Sequence, residues 1–218
     1  MTELPISASQ REGLLRLAVR PGYRGYAAVK RGVDVVLGVV ALILLSPVLG
    51  ICAAIIKLSS KGPVLHTQIR AAKHGRLFNM YKLRTMRMDA EFSTGAVWAS
   101  DEDPRVIPAC RWMRRSHVDE LPQLMNVMLG QMSLVGPRPE RPEILEDLTR
   151  HYPNAKMRLA VPPGITGLAQ IRWGYDTTPQ RFRRKLQADL EYIVNRRLTL
   201  DARIIFATVP KFVDRQSK

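Results

Sequence analysis

Cysteine is nearly absent from this chain, with only Cys52 and Cys110 among 218 residues. One of them lies inside the most apolar segment, so neither a disulfide framework nor a cysteine-based zinc site is encoded, and a reducing compartment is expected. Acidic residues are also few, 19 against 34 lysines and arginines, a formal charge of +15. That surplus requires an anionic partner: nucleic acid, an anionic lipid surface or a phosphorylated substrate. Aromatics make up only 6%, so Trp98, Trp112 and Trp173 read as core or interface anchors rather than base-stacking platforms. The chain has no Walker loop, no dinucleotide-binding glycine fingerprint and no Cys/His zinc spacing. His66, His74, His117 and His151 are scattered and read as structural. No internal repeat or low-complexity tract occurs. Apolar content of 46%, charged content of 24% and a mean hydropathy of -0.11 exclude a disordered, collagenous or polytopic membrane chain. The length leaves room for one sizeable core.

What the sequence does have is one long uncharged run, Val35 to Ile56, sufficient at helical rise to cross a hydrocarbon core about 30 Å thick. It lies too far from the N-terminus, and lacks the cleavage site, for a secretory signal. Near its middle is Ser46-Pro47, where the proline removes a backbone donor and bends or breaks a helix. Both flanks are basic: Arg20, Arg24, Lys30 and Arg31 before it, Lys57, Lys61 and Arg70 after it. The positive-inside rule therefore sends neither end outside. Three readings remain: a re-entrant hairpin bent at Ser46-Pro47 that returns to the cytoplasmic face, a straight span, or a buried core helix. The hairpin satisfies both the proline and the charges, with Ser46 serving backbone groups that Pro47 frees.

Three segments follow. Residues 1–29 form a basic amphipathic stretch suited to an anionic membrane, residues 30–60 the membrane hairpin, and residues 61–218 a cytoplasmic domain with 27 basic against 16 acidic residues past Lys57. Within that domain Val64–Arg70 and Leu77–Leu83 predict two strands around Lys73-His74-Gly75. Helical patterning covers Ile107–Arg115, Val118–Leu129 with Gly130 as its stop, Glu143–Leu159, Pro179–Asn195 and Leu200–Val213. Pro/Gly loops occupy Val135–Pro142 and Pro162–Gly167. The expected fold is mainly α with a small β element, a membrane-associated helical domain anchored by the re-entrant Ser-Pro kinked helix.

Chemistry has two candidate carriers. Asp119-Glu120 are adjacent carboxylates just before Pro122, and only near a helix start can both reach one site. One carboxylate can attack phosphorus while its neighbour assists a metal or a proton; the alternative is a solvated helix start. The second carrier is a set of cations, Lys82, Arg84, Arg114, Arg115 and Arg138, the last stiffened by a proline on each side, whose donors match phosphate oxygens. Taken singly each is also ordinary surface charge. Asp89 and Glu91 read as an exposed helix rather than a metal site.

In order along the chain, these pieces resemble the bacterial sugar transferase family, the monotopic phosphoglycosyl transferases. The likeness rests on Ser46-Pro47, Lys82-Leu83-Arg84-Thr85-Met86, Asp103-Pro104-Arg105 and Asp119-Glu120-Leu121-Pro122-Gln123-Leu124-Met125-Asn126-Val127. It continues through Val135-Gly136-Pro137-Arg138-Pro139-Glu140 and Pro163-Gly164-Ile165-Thr166-Gly167-Leu168-Ala169-Gln170. The resemblance implies a magnesium-dependent transfer of a sugar 1-phosphate from a UDP-sugar to undecaprenyl (polyprenyl) phosphate, the start of membrane glycan or exopolysaccharide assembly. Asp119 would form a covalent phosphosugar, Glu120 would assist, both would hold Mg2+, and Arg114, Arg138, Lys82 and Arg84 would contact phosphates. The implied place is the cytoplasmic face of a bacterial inner membrane. The implied partners are the UDP-sugar, the lipid phosphate and anionic lipids, with no nucleic acid, and the family admits a homodimer. Two departures stand out: Pro162 where relatives carry arginine, and Ile171-Arg172-Trp173-Gly174, where Arg172 is a candidate substitute. With little sequence before Lys30, a minimal catalytic form is expected. A membrane-tethered basic binding protein and a nucleotide-sugar hydrolase remain as competing readings.

Overall fold

The structure is a computed structural model that describes residues 12, 23–88, 90, 103–174 and 179–213. The expectations for Leu14–Arg20, Asp89, Glu91 and Trp98 lie outside the described residues. The uncharged run forms the centre of one helix, α1 (Tyr23–Ser59), with Pro47 inside it. Pro47 leaves the carbonyl of Ile43 without its usual donor, and the Ser46 hydroxyl donates to that carbonyl at 2.7 Å. Only 11% of the apolar stretch is buried; Ile43 and Leu44 are 66% and 70% exposed.

Both ends of α1 pack on the rest of the protein. At the N-terminal end Arg31 donates to the carbonyls of Val127 (2.5 Å) and Met128 (2.8 Å), while Asp34 accepts from the Ser133 hydroxyl at 2.7 Å and the Leu134 amide at 3.2 Å. Lys30 bridges Asp34 and Asp201, and Asp201 accepts from Tyr26 at 2.8 Å and Tyr192 at 2.7 Å. At the other end Cys52 and Ile56 are fully buried against Leu83, Ile107, Cys110 and Met113.

Strands β1 (Leu65–Ala71) and β2 (Leu77–Leu83) pair antiparallel, from Leu65 opposite Leu83 to Ala71 opposite Leu77. The connection expected at Lys73-His74-Gly75 turns through positive φ at His74 and Gly75. Helix α2 (Arg111–Arg115) follows a 3-10 turn at Pro108–Cys110. The expected helix from Val118 is instead a 3-10 turn, Val118–Glu120, followed by α3 (Gln123–Met128). Gly130, the expected stop, has φ +77. The helix expected over Glu143–Leu159 divides at Pro153 into α4 (Pro142–His151) and a 3-10 segment, Pro153–Ala160, because proline disfavours helical backbone at the residue before it.

The Pro/Gly loops hold more order than expected. Strand β3 (Ser133–Val135) enters the first and β4 (Gly164–Thr166) lies in the second, and they pair in parallel. A short helix α5 (Leu168–Trp173) follows, and α6 (Pro179–Asn195) and α7 (Leu198–Val213) stand where the periodicity placed the last two helices. Val135, Ala160, Ala169, Tyr192, Ile193 and Ile204 form one core that joins the parallel pair to α5, α6 and α7. Trp112 and Trp173 are 45% and 42% exposed, so neither is a core anchor.

Candidate active site

The site begins at a sharp reversal. Helix α2 ends at Arg115, Ser116 caps it, and His117 then takes left-handed backbone, φ 54 and ψ 16, before the 3-10 turn that carries Asp119 and Glu120. A non-glycine residue there stores of order 1 kcal/mol of strain, the kind of deviation that concentrates at functional sites. Pro122, which has no N–H to leave unsatisfied, leads into α3. Both carboxylates are buried, and both line a single cavity of ≈ 760 Å³.

Their surroundings differ sharply. Glu120 receives Lys82 Nζ from β2 at 2.8 Å, Arg138 Nη2 at 2.5 Å and Arg138 Nη1 at 3.0 Å. Burial pushes the Glu120 carboxyl up, but the charges and hydrogen bonds of Arg138 and Lys82 overcome it and hold the group well below the usual glutamate range. Asp119 accepts no hydrogen bond from a described side chain. Burial, and then the neighbouring charge of Glu120, push it up to about 6, against the pull of Lys82, Arg114 and Arg138. Burial likewise holds Lys82 and His117 below their usual ranges. The turn therefore presents one firmly ionised, immobilised carboxylate beside one uncommitted carboxylate of raised basicity.

Arg138 is placed by backbone packing. A Cβ on Gly136 would fall 2.5 Å from the Pro162 carbonyl oxygen, and one on Gly164 would fall 2.1 Å from the Gly136 nitrogen. The two loops thus touch main chain to main chain, and the Gly136 amide donates to Thr166 while the Gly164 amide donates to Pro137. Two glycines and a parallel strand pair hold the arginine that clamps Glu120. Asp34, through Ser133 and Leu134, ties the start of this unit to α1.

Of the other cations singled out in the sequence, Arg114 lines the cavity and its charge acts on Asp119. Arg84 also lines it, but its guanidinium donates to the carbonyls of Lys61 (2.7 Å) and Ser60 (2.9 Å), tying β2 to the exit of α1. Arg172 is not among the cavity-lining residues; it forms an exposed bidentate pair with Glu191. A buried relay escaped the sequence reading: Arg158 donates to Glu140 at 3.1 Å and Asp189 at 2.7 Å, while Arg70 pairs with Glu140 at 3.8 Å and donates to the Pro139 carbonyl. Burial, partly offset by Glu140, holds the Arg70 guanidinium down at about 10. Arg70, Arg158 and Asp189 had no signal beyond being charged; Glu140 closed a quoted motif.

Among the described residues no group of three or more His, Cys, Asp or Glu side chains could hold a metal. The donor set at Asp119-Glu120 nevertheless fits Mg2+, which takes one or two carboxylates and keeps its other positions for water and phosphate. Asp119 has its oxygens uncommitted, and Glu120 has lone pairs beyond those used by Lys82 and Arg138.

Comparison with known proteins bears on this geometry. A family model described as bacterial sugar transferase matches residues 15–215. The UDP-N-acetylgalactosamine-undecaprenyl-phosphate N-acetylgalactosaminephosphotransferase of Aeromonas hydrophila is 42% identical over 184 residues, 84% of this chain and 43% of that protein. The undecaprenyl-phosphate glucose phosphotransferase of Komagataeibacter xylinus is 42% identical over 190 residues, 84% of this chain and 35% of its own length. The chain thus spans less than half of these relatives. It spans 92% of the exopolysaccharide production protein PSS of Rhizobium leguminosarum bv. phaseoli, at 40% identity over 188 residues and 83% of this chain. The matched region takes in α1, the carboxylate turn and both glycine loops, and on that extent the chain belongs to the bacterial sugar transferase family.

Proposed function

We propose that the protein transfers a sugar 1-phosphate from a UDP-sugar to undecaprenyl phosphate through a covalent aspartyl phosphosugar. The observation that carries this reading is the pair of adjacent buried carboxylates in opposite electrostatic states at one cationic cavity. Environments that push two titratable groups apart assign them different roles.

In the first step an Asp119 carboxylate oxygen attacks the β-phosphorus of the donor. The bond from that phosphorus to the bridging oxygen breaks, and UMP departs with the electron pair. In the second step an oxygen of the lipid phosphate attacks the same phosphorus, and the Asp119 carboxylate leaves. No proton transfer is required of the protein, so catalysis rests on positioning and charge. Lys82 and Arg138, fixed by Glu120, face the phosphates, and Arg114 balances charge on the nucleophile's side. Asp119 and Glu120 would hold Mg2+, which supplies further neutralisation of phosphate charge when bound.

The setting follows from α1. Its two ends are tied to one domain while the apolar middle is exposed, which supports a helix that enters and leaves a membrane on the same face. The basic domain then sits at the cytoplasmic face of the bacterial inner membrane, with anionic headgroups as neighbours, where a lipid phosphate reaches the cavity. The name of the Rhizobium relative supports exopolysaccharide assembly as the process served.

The test is UMP release by detergent-purified protein with magnesium and a panel of UDP-sugars, with and without undecaprenyl phosphate and beside Asp119→Asn, followed by intact mass. Acceptor-dependent turnover with one donor, a phosphosugar mass increment without acceptor, and loss of both in the variant are expected. Turnover that ignores the lipid would make the protein a hydrolase.

A further inference from the structure

Asn126 is fully buried in α3, and its polar groups reach two other parts of the chain. Its Oδ1 accepts from the Tyr81 amide at 3.0 Å, and its Nδ2 donates to the Asn79 carbonyl at 2.8 Å and to the Gln131 Oε1 at 2.7 Å. A backbone N–H only donates and a carbonyl only accepts, so these partners fix which way the carboxamide points. Donating to Asn79 while accepting from Tyr81 is the pattern that a parallel strand would offer Met80. Among the described residues β2 pairs with β1 alone, so on its other edge one side chain stands in for a third strand. The backbone carbonyl of Asn126 accepts in addition from the amides of Gln131 (3.0 Å) and Met132 (3.1 Å), directly ahead of β3. Gly130, not Asn126, takes the positive φ that ends α3, so the asparagine is not there as a helix stop.

The elements joined in this way are the ones that supply the charges of the site. Lys82 stands on β2, Glu120 on the turn just before α3, and β3 leads to Arg138; both cations meet on Glu120. Every second residue of β2 shares a face. Phe78 and Met80 lie buried on one face with Val127 and Met132, and Lys82 follows them. Apolar burial holds α3 down on that face but is non-directional, so by itself it lets the helix slide along the strand. The two bonds from Asn126 to the β2 backbone oppose that sliding. Lys82, with its side chain 18% exposed, has little room to follow a displaced Glu120.

We propose that Asn126 is a positioning residue: its carboxamide completes the edge of β2 and thereby sets Lys82 against Glu120 for phosphate transfer. This rests on the transferase reading for the reaction that Lys82 serves, whereas the placement of Lys82 does not depend on it. Asn126 does not line the cavity and acts through Lys82.

The experiment uses the full chain in detergent micelles and a double-mutant cycle of Asn126→Ser with Lys82→Gln. Serine is too short to reach both Asn79 and Tyr81, yet it leaves the apolar contacts of Val127 in place. In the wild-type background kcat for UMP release falls roughly ten- to hundredfold, the scale of a misplacement of about 1 Å. In the Lys82→Gln background the same substitution costs less than about threefold, because the group it positions is gone. A residue that only holds the fold lowers kcat by the same factor in both backgrounds. Urea melts run the same cycle without catalysis: Lys82→Gln lowers the wild-type midpoint about twice as far, or more, as it lowers that of Asn126→Ser. Should Asn126→Ser not fold, Gln131→Ala replaces it, removing one bond of the same carboxamide from a half-buried position; the same non-additivity is then expected on a loss of about threefold. Equal factors in both backgrounds, or a folded Asn126→Ser with the wild-type kcat, overturn the proposal. A wild-type chain that releases no UMP from any UDP-sugar sinks the transferase reading instead, and the urea cycle then decides the placement of Lys82 alone.

Discussion

Replacing Asp119 with asparagine is expected to make the protein more stable at neutral pH while abolishing its chemistry. An aspartate ordinarily titrates near 3.8 and Asp119 titrates near 6, so at pH 7.5 the folded state holds this carboxylate charged at a penalty of about 3 kcal/mol relative to the unfolded chain. The asparagine removes that penalty. Asp119 accepts no hydrogen bond from a described side chain, so no bond is lost, but a buried amide donor goes unmet at a cost of about 1 kcal/mol. The net gain at pH 7.5 is about 2 kcal/mol, or roughly 4–8 °C in Tm for a chain of this size. The raised value fixes the sign of the pH dependence. Protonation favours the folded wild type, so its penalty is complete above pH 6, shrinks as pH falls from 6 towards 3.8, and vanishes below both values. The advantage of the variant should therefore shrink to about 0.6 kcal/mol at pH 5 and disappear near pH 4.5. Urea unfolding of both proteins in the same detergent at pH 7.5 and pH 5 measures it. A variant that is less stable at pH 7.5, or equally advantaged at both pH values, refutes the idea that burial and Glu120 hold Asp119 in an unfavourable charged state.

The neighbouring carboxylate should respond in the opposite sense. Glu120→Gln leaves Lys82 and Arg138 without their counter-charge and should destabilise by about 3 kcal/mol; because the folded Glu120 titrates well below 4.5, that contribution is present above about pH 4.5 and is lost as pH falls further, as urea melts across pH will show. For UMP release, kcat/KM should fall about tenfold per pH unit on the acid limb set by Asp119, which attacks only when ionised, and because a bound dication favours the ionised carboxylate that limb should move to lower pH as magnesium is raised; an acid limb that ignores magnesium would refute the reading that Asp119 both attacks and holds the metal. Gly164→Ala puts a Cβ 2.1 Å from the Gly136 nitrogen and should cost more than about 3 kcal/mol or prevent folding. Gly174→Ala meets no atom of the described residues within 4 Å and should cost about 2 kcal/mol, for a backbone of φ 68 and ψ -161 that glycine alone adopts readily; equal melts for the two would show that the glycine loops do not touch as described.

Local chemistry was readable where it was strong. The alternation in Leu77–Leu83 and the periodicity of Pro179–Asn195 gave a strand and a helix with those same bounds, because each element is long enough to show its period. Ser46 beside Pro47 foretold a hydroxyl serving a freed carbonyl, since donor and acceptor lie within one turn of the chain. The parallel pair of β3 and β4 was not readable: three residues show no period, and glycine and proline around them signal loops. Nor was the relay through Arg70, Glu140, Arg158 and Asp189, whose members come from β1, the loop before α4, the 3-10 segment and α6. Composition marks such residues as charged; only the fold decides which of them meet. Arg84 and Arg172 show the same limit from the other side. Both suit phosphate by type, yet one binds two carbonyls and the other a surface glutamate.

The net charge of +15 acquires a different meaning once these partners are known. Read from composition it describes a surface facing something negative, and a surface charge would be screened by salt within about 8–10 Å. In the structure the cations around the cavity are instead braced from behind: Lys82 and Arg138 by Glu120, Arg70 and Arg158 by Glu140, Arg158 again by Asp189. A carboxylate behind an arginine lowers the net charge of the pocket but fixes the direction of its remaining donors, and fixed donors lose little freedom when a phosphate arrives. Unbraced cations in the same space would repel one another and would have to be ordered by the substrate itself. The carboxylates Glu120, Glu140 and Asp189 are thus part of the anion-binding apparatus although none has the charge to bind an anion, and Asp119 is the exception because its carboxylate has no such cation to brace.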